Sequence, residues 1–287
     1  MAASSRKNNP RPRIRKPKAK GGKPSQAAQA DRHRLYEKAV QDPAGDAADL
    51  ARFFRRFRSR EAVSLREDFC GTATLSTHWV KAKAGRKAVG IDLDEATMQW
   101  GRERHLRAAG PDVERRVTLH KANVLDGVGA RADIVCALNF SYSCFKDRRT
   151  LVNYFRAAHK KTTRDGVFVL DCFGGWESLR VEEHAREIDG GFTYRWDQAQ
   201  FDALTHEILC HIHFDFPDGS SIERAYTYDW RLWSVPELKD AMLEAGFSAV
   251  HPLWEKTDGD GEGTGRFYEP RVMENQESWW TYVVAER

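Results

Sequence analysis

The stretch Glu67-Asp68-Phe69-Cys70-Gly71-Thr72-Ala73-Thr74-Leu75, followed by Val89-Gly90-Ile91-Asp92-Leu93-Asp94, constrains this chain more than any other. A short apolar run, Ala62 to Leu65, leads into an acidic residue and a turn of small residues. A helical stretch comes next, then a second apolar strand ending in Asp92, an acid about 20 residues past the tight turn. In such a strand–loop–helix–strand unit, backbone N–H groups at a helix start face a nucleoside-containing ligand. A carboxylate after the second strand grips ribose hydroxyls. The pattern restricts the chain to nucleoside binding on an open α/β sheet.

The rest of the chain extends that unit. Strands are expected at 62–67, 87–92, 117–121, 132–139 and 166–172, with helices at 73–83, 94–109 and 148–162 between them. Strands alternating with helices imply a parallel sheet covered on both faces. Ahead of the first strand, Leu35, Tyr36, Ala39 and Val40 predict a short helix, and Leu50, Phe53, Phe54 and Phe57 a second. Beyond residue 172 the alternation breaks. Three strand-like runs follow, at 192–201, 207–216 and 221–230, the last two joined by Pro217-Asp218-Gly219. In the second run Ile208, Cys210, Ile212, Phe214 and Phe216 alternate with polar residues, as in a half-buried antiparallel strand. A small meander over about 190–231 is therefore expected within a domain spanning 31–287, laid over the carboxyl edge of the main sheet. Ser234-Val235-Pro236-Glu237 then reads as a helix start and Gly246 as its end. Strands near 248–255 and 278–285 flank Asp258-Gly259-Asp260-Gly261-Glu262-Gly263, which lacks a full calcium-ligand pattern and reads as a mobile loop.

Charge is unevenly placed. The net charge is +4, yet residues 1–30 hold nine Lys or Arg and no acid, which leaves −5 on 31–287. With Pro10, Pro12, Pro17 and Pro24 among the basic residues, 1–30 read as a disordered tail. Such a tail either keeps the protein soluble or contacts nucleic acid through phosphates. Five cysteines, scattered and odd in number with no CxxC, read as free thiols in a reducing, cytoplasmic setting. No apolar run approaches the roughly 18 residues of a membrane span, and the N-terminus lacks the apolar segment of a secretory signal.

The first turn lacks GxGxxG, so it is not a dinucleotide fingerprint. It resembles the first motif of class I S-adenosylmethionine-dependent methyltransferases, most specifically in the blocks 65–75, 89–94 and 119–126. The resemblance covers roughly residues 35–285. It implies a Rossmann-like, mostly parallel sheet of seven strands with a reversed C-terminal strand, plus the inserted antiparallel meander. It places Glu67 near the amino group of the methionine moiety and the amides of Phe69, Gly71 and Thr72 against the cofactor. Asp92 would hold the ribose, Leu93 and Met98 the adenine ring, and Asn123, with Val124 beside it, the adenine amino group. Asn139 would end the fourth strand, where the sulfonium lies. The family usually has glycine where this chain has Phe69 and Ala73, so the Phe69 side chain must point away from the cofactor.

The acceptor is less constrained. Asn139-Phe140-Ser141-Tyr142-Ser143 has no proline, unlike the motif of many base N-methyltransferases in this family. The meander, the Tyr36…Asp42-Pro43 stretch and the Tyr228-to-Trp233 stretch resemble small-molecule N-methyltransferases acting on glycine-type amines and amino sugars. Arg224, Tyr226, Tyr228 and Trp230 are expected on one strand face, closing over a substrate or simply packing the meander down. Tyr142, Arg224 and Tyr226 are the candidate catalytic residues. His211 and His213 have two-ligand spacing without a third partner, so no metal is expected there; either is also a candidate general base. The reading is methyl transfer to a nitrogen or oxygen of a small molecule. The alternatives are an RNA or protein methyltransferase recruited through residues 1–30, and a non-catalytic cofactor-binding scaffold.

Overall fold

Helix signals and apolar faces account for the first elements. The computed structural model describes residues 24–261 and 263–287. Most of the basic tail thus lies outside the described residues. Residues 24–30 are ordered ahead of the expected boundary at Asp31: helix α1 (Gln26–Gln29) docks on the hairpin turn near residue 218. Gln26 N–H donates to Asp218 Oδ2 (2.8 Å) and Ala27 N–H to Ser220 Oγ (3.0 Å). Helix α2 (Arg32–Val40) is capped by Asp31. Helix α3 (Pro43–Phe57) is capped by Asp42 with Pro43 in its first turn, and buries Leu50, Phe53 and Phe54 on one face. Each of those side chains contributes about 1.5–3 kcal/mol by leaving water.

The alternation then runs as expected: β1 (Ser64–Asp68), α4 (Thr74–Ala82), β2 (Lys87–Asp92), α5 (Glu95–Gly101), α6 (Pro111–Arg116), β3 (Val117–Lys121), β4 (Ala132–Ala137), α7 (Arg148–Lys161) and β5 (Thr162–Gly174). The expected helix 94–109 is α5 followed by a π-helical stretch, Arg102–Arg107. Later come β6 (Glu182–Ile188), β7 (Phe192–Phe201), β8 (Glu207–Asp215), β9 (Ser221–Arg231), α8 (Val235–Ala245), β10 (Ala249–Thr257), β11 (Gly263–Tyr268) and β12 (Trp279–Glu286). Ser234 and Glu237 form a capping box on α8, and Gly246 ends it at φ +111°.

The main sheet is ordered β11-β10-β12-β5-β4-β1-β2-β3. Strands β3, β2, β1, β4 and β5 are parallel, and β12 runs antiparallel to both β5 and β10. This is the Rossmann-like arrangement with a reversed C-terminal strand, with one difference. The sheet has eight strands, not seven, because β11 pairs with the edge strand β10 across the Gly-rich turn. One face packs on α3, α4 and α6 through Phe54, Trp79 and Val113. The other packs on α7 and α8 through Leu151, Phe155, Leu238 and Met242.

The meander forms a second sheet, ordered β6-β7-β8-β9. It has four strands rather than three. Strand β6 is Glu182-Glu183-His184-Ala185-Arg186-Glu187-Ile188, an almost wholly solvent-facing edge whose charges hide its period. The inner face of this sheet rests on the carboxyl ends of β4 and β5: Ile208, Cys210 and Trp230 pack with Phe140 and Phe173.

Tight approach of α5 sets the loop after β1. A Cβ on Gly101 would meet the Thr72 carbonyl oxygen at 2.0 Å. Gly101→Ala is therefore expected to lower stability by about 1–3 kcal/mol in urea unfolding, because backbone cannot yield there. An unchanged midpoint would show that the helix and loop separate freely.

Candidate active site

Strand β1 ends in two buried carboxylates with different partners. Asp68 pairs with the Arg66 guanidinium (2.8 Å), both side chains 1% exposed, and accepts from the Tyr154 hydroxyl at 3.2 Å. Glu67 faces the other way and accepts from Ser76 N–H (3.0 Å) and Ser76 Oγ (2.5 Å) at the start of α4. Burial pushes the Glu67 carboxyl up to about 8, against the opposing pull of these two hydrogen bonds.

The following turn holds Phe69, Gly71 and Ala73 all at positive φ (60°, 50° and 54°). Two non-glycine residues thus keep the left-handed backbone that the glycines of the resembling motif would adopt freely, at about 1–2 kcal/mol each. The Phe69 ring points away from the crevice, as expected, into the core against Tyr154 (5.7 Å between centroids) and Phe145 (5.9 Å). Of the amides expected to face the cofactor, Gly71 N–H already donates to Asp92 Oδ2 (2.7 Å). Beside it Cys70 N–H donates to Ile91 O and Ala73 N–H to Cys70 O. Asp92 also accepts from Asp94 N–H through Oδ1 (2.8 Å). Its first task is to tie the β2 end to the β1 turn, with lone-pair capacity left over.

Across the crevice, Asn139 and Phe140 follow β4, also at positive φ (55° and 56°). The carboxylate of Asp171 on β5 accepts both of their N–H groups, at 2.8 and 2.9 Å. Burial lifts the Asp171 carboxyl to about 7. From above, α2 closes the crevice. Glu37 accepts from Thr72 Oγ1 (2.6 Å) and pairs with His105 Nε2 (2.6 Å). The Tyr36 ring lies 4.8 Å from that of Tyr226 on β9.

Three cavities meet here, and Asn139 borders all of them. The first, about 340 Å³, is lined by Glu67, Phe69, Gly71, Thr72, Asp92 and Asn139, together with Tyr36, Asp94, Thr97, Tyr226 and Tyr228. The second, about 500 Å³, is acidic: Asp42, Asp46, Asp49, Asp171 and Glu255 face it, with Arg52 paired to Asp49. Burial pushes the carboxyls of Asp46 and Asp49 to about 6. The third, about 290 Å³, is aromatic, walled by Phe173, Tyr194, Trp196, Tyr228, Trp230 and Trp279.

Several expected site residues lie elsewhere. Tyr142 is 2% exposed in the core between α7, α8 and the sheet, where burial holds its hydroxyl well above its usual range. It stands one helical turn beyond Asn139, and the short turn Ser141–Cys144 rotates it inward. Arg224 is exposed and off the cavity, because a bulge opposite Ile212–Phe214 breaks the alternation and puts Arg224 at φ +50°. Only Tyr226, Tyr228 and Trp230 of the expected face line the crevice. Leu93, next to Asp92, is 65% exposed and is not among the residues lining the crevice. Met98 is buried beneath the turn with Cys70 and Ala73. Asn123 spends its side chain capping Leu125 N–H, and Val124 is in the core. Asp94 and Thr97, from the start of α5, line the crevice. His211 bonds Thr227 Oγ1 (3.0 Å) and His213 pairs with Glu223, so both are engaged within the meander. All five cysteines are free, Cys144 exposed and the other four buried. Residues missed in the sequence include Asp171, Glu37 and the α3 acids; only the Tyr36…Asp42-Pro43 stretch signalled any of them.

The crevice suits a nucleoside cofactor on its own features. Gly71 leaves open space, with nothing nearer than Thr97 Cγ2 at 3.9 Å to an added Cβ. Buried Gln41 Oε1 on the same wall has no hydrogen-bond partner among the described residues. No protein-family model matches the sequence, and no curated protein matches it. In structure the chain is similar to an S-adenosylmethionine-dependent methyltransferase from Clostridium acetobutylicum (TM-score 0.64, 15% identity, covering 88% of this chain and 97% of that one). It is likewise similar to S-adenosylmethionine-bound CalS10, an amino pentose methyltransferase from Micromonospora echinaspora (0.64, 16%, 89% and 96%). A third is the sugar N-methyltransferase KedS8 from a Streptoalloteichus species (0.60, 19%, 96% and 98%). At these identities the likeness establishes the fold: that of class I methyltransferases.

The raised Glu67 carboxyl has a signed consequence. An unfolded Glu titrates near ~4.3, whereas folded Glu67 titrates at about 8. Its contribution to stability is full below the unfolded value and is lost as pH rises through about 8. Between about pH 5 and 8, Glu67→Gln should flatten the fall of unfolding free energy by on the order of 1 kcal/mol per pH unit. Parallel wild-type and variant profiles in urea would refute the buried, protonated state.

Proposed function

We propose that this protein is an S-adenosylmethionine-dependent methyltransferase that methylates a small molecule, at nitrogen in the first instance. The observation that carries the reading is the junction of the three cavities at Asn139. A nucleoside-sized crevice carrying Asp92 opens there onto an acidic chamber and an aromatic one. The cofactor would supply a methyl group already activated on a sulfonium. The chain's task is then to hold donor and acceptor in line, keep water out and manage one proton.

Residues present suit those tasks. Asp92 retains acceptor capacity for ribose hydroxyls, and Glu67 offers a carboxylate toward a ligand ammonium, whose charge would favour the ionised form. The faces of Tyr36, Tyr226 and Tyr228 suit a positive charge moving between donor and acceptor. An amine enters at neutral pH as an ammonium and must lose a proton before its lone pair can attack. Asp46 and Asp49, with carboxyls near about 6, are placed in the acidic chamber to attract the cation and accept that proton. Chambers of this size favour a small acceptor over a macromolecule. Among the described residues no helix is long and apolar enough to cross a membrane, and the five free thiols suit a reducing, cytoplasmic setting.

Native mass spectrometry of the purified chain is the first test, looking for S-adenosylmethionine or its demethylated product. A chain that arrives empty and also ignores added cofactor would sink the reading. Asp92→Asn, which leaves one acceptor oxygen for the turn, should weaken cofactor binding by about 10- to 100-fold by calorimetry; unchanged affinity would remove its ribose role. Asp49→Asn should raise KM for an amine acceptor by about tenfold while leaving cofactor affinity intact. An equal effect on neutral and cationic acceptors would show that the acidic chamber does not select charge.

A further inference from the structure

A separate cavity of about 270 Å³ lies on the far side of Phe173 and Trp196 from the aromatic chamber. Glu177, Glu182 and His184 line it, and one ligand atom from each falls within 4.8 Å of the other two. We propose that these three side chains form a binding site for a divalent first-row metal ion, zinc foremost. Neighbouring ligand atoms around tetrahedral zinc stand about 3.3–3.5 Å apart. His184 Nε2 and Glu182 Oε1 are already 3.1 Å apart.

Three independent features support the site. First, Glu182 Oε1 is buried without a hydrogen-bond partner, and its ion-pair contact is His184 Nε2, itself one of the three ligands. A buried carboxylate oxygen is costly unless something positive meets it, and His184 does so only when protonated. Second, among the described residues neither Glu177 nor Glu182 has a Lys or Arg ion-pair partner, so two carboxylates converge with no fixed cation between them. Third, the scaffold is braced. Glu182 and His184 stand two apart on β6, on one strand face. Glu177 sits in the short turn after β5, which is held by Gln198 Nε2 donating to Ser178 O (2.7 Å) and Arg180 O (2.8 Å). Ser178 Oγ also donates to Gly175 O (2.7 Å), and Glu177 N–H to Glu277 O (3.0 Å).

One imidazole and two carboxylates make a borderline donor set that suits zinc, with manganese and cobalt as competitors, and leave coordination positions open to water. The ion would join the exposed edge strand of the meander to the turn leaving the main sheet. It would act as a cross-link that favours the folded, closed arrangement by mass action. This site shares no side chain with the cofactor crevice, so it stands or falls apart from the methyltransferase reading.

The test uses the full, tag-free chain stripped with chelator and titrated with Zn²⁺, without cofactor. One equivalent should bind and raise the melting temperature. His184→Ala and Glu182→Gln should each weaken binding by about tenfold or more, while His211→Ala should leave it unchanged. Co²⁺ substitution reads the site without relying on variants: wild type should give the visible absorption of a low-coordinate, imidazole-bound ion. Absence of a stoichiometric site, a Co²⁺ spectrum matching the free aquo ion, or undiminished binding by folded His184→Ala would each overturn the proposal.

Discussion

The adjacency of β1 and β4 is the constraint on which the rest of the site depends. From that pair the chain winds outward through β2 and β3 on one side and β5 on the other. Turns leaving the two central strands must therefore diverge, and a crevice opens between them. Both turns are built on left-handed backbone, at Phe69, Gly71 and Ala73 on one side and at Asn139 and Phe140 on the other. Only one of these five residues is glycine. The other four are braced by their neighbours: Asp171 takes the Asn139 and Phe140 amides, the Phe69 ring packs on Tyr154 and Phe145, and Ala73 is buried with Cys70 and Met98.

Carboxylates do much of that holding. Asp92 takes the Gly71 amide, Asp171 takes those of Asn139 and Phe140, and Glu37 takes the Thr72 hydroxyl. Each comes from a different element, so β2, β5 and α2 all register the position of the crevice walls. The cost is a concentration of buried acid. Glu67, Asp171, Asp46 and Asp49 all titrate upward because desolvation outweighs their hydrogen bonds. A cationic ligand relieves that burden and a neutral one does not, which links the stability of the fold to the acceptor chemistry proposed for it.

The meander sheet and the N-terminal helices complete the enclosure together. Tyr226 and Tyr228 face inward from β9 and Tyr36 meets them from α2, while α1 anchors on the β8–β9 turn. Packing of the meander and shaping of the chamber are one set of contacts: Trp230 both packs near Phe140 (6.5 Å between centroids) and lines two cavities. The two readings of these aromatics in the sequence thus describe the same residues.

What the sequence determined by itself is periodic or local. Alternation of apolar strands and amphipathic helices specified the parallel sheet. The acid before a tight turn marked Glu67, the acid ending the second strand marked Asp92, and Ser234, Pro236 and Glu237 specified a helix start. These signals depend on near neighbours, so they survive without three-dimensional context. Where period failed, so did legibility: the charged edge strand β6 and the added strand β11 carry no alternation to read. Tertiary structure alone decided which side chains converge. Tyr142 turned into the core because a short helical turn rotated it, and Arg224 turned outward because a bulge shifted its face. Asp171 and the acids of α3 joined the site from positions remote in the chain, through strand order and helix packing. Such convergence depends on the whole fold, and no local spacing encodes it.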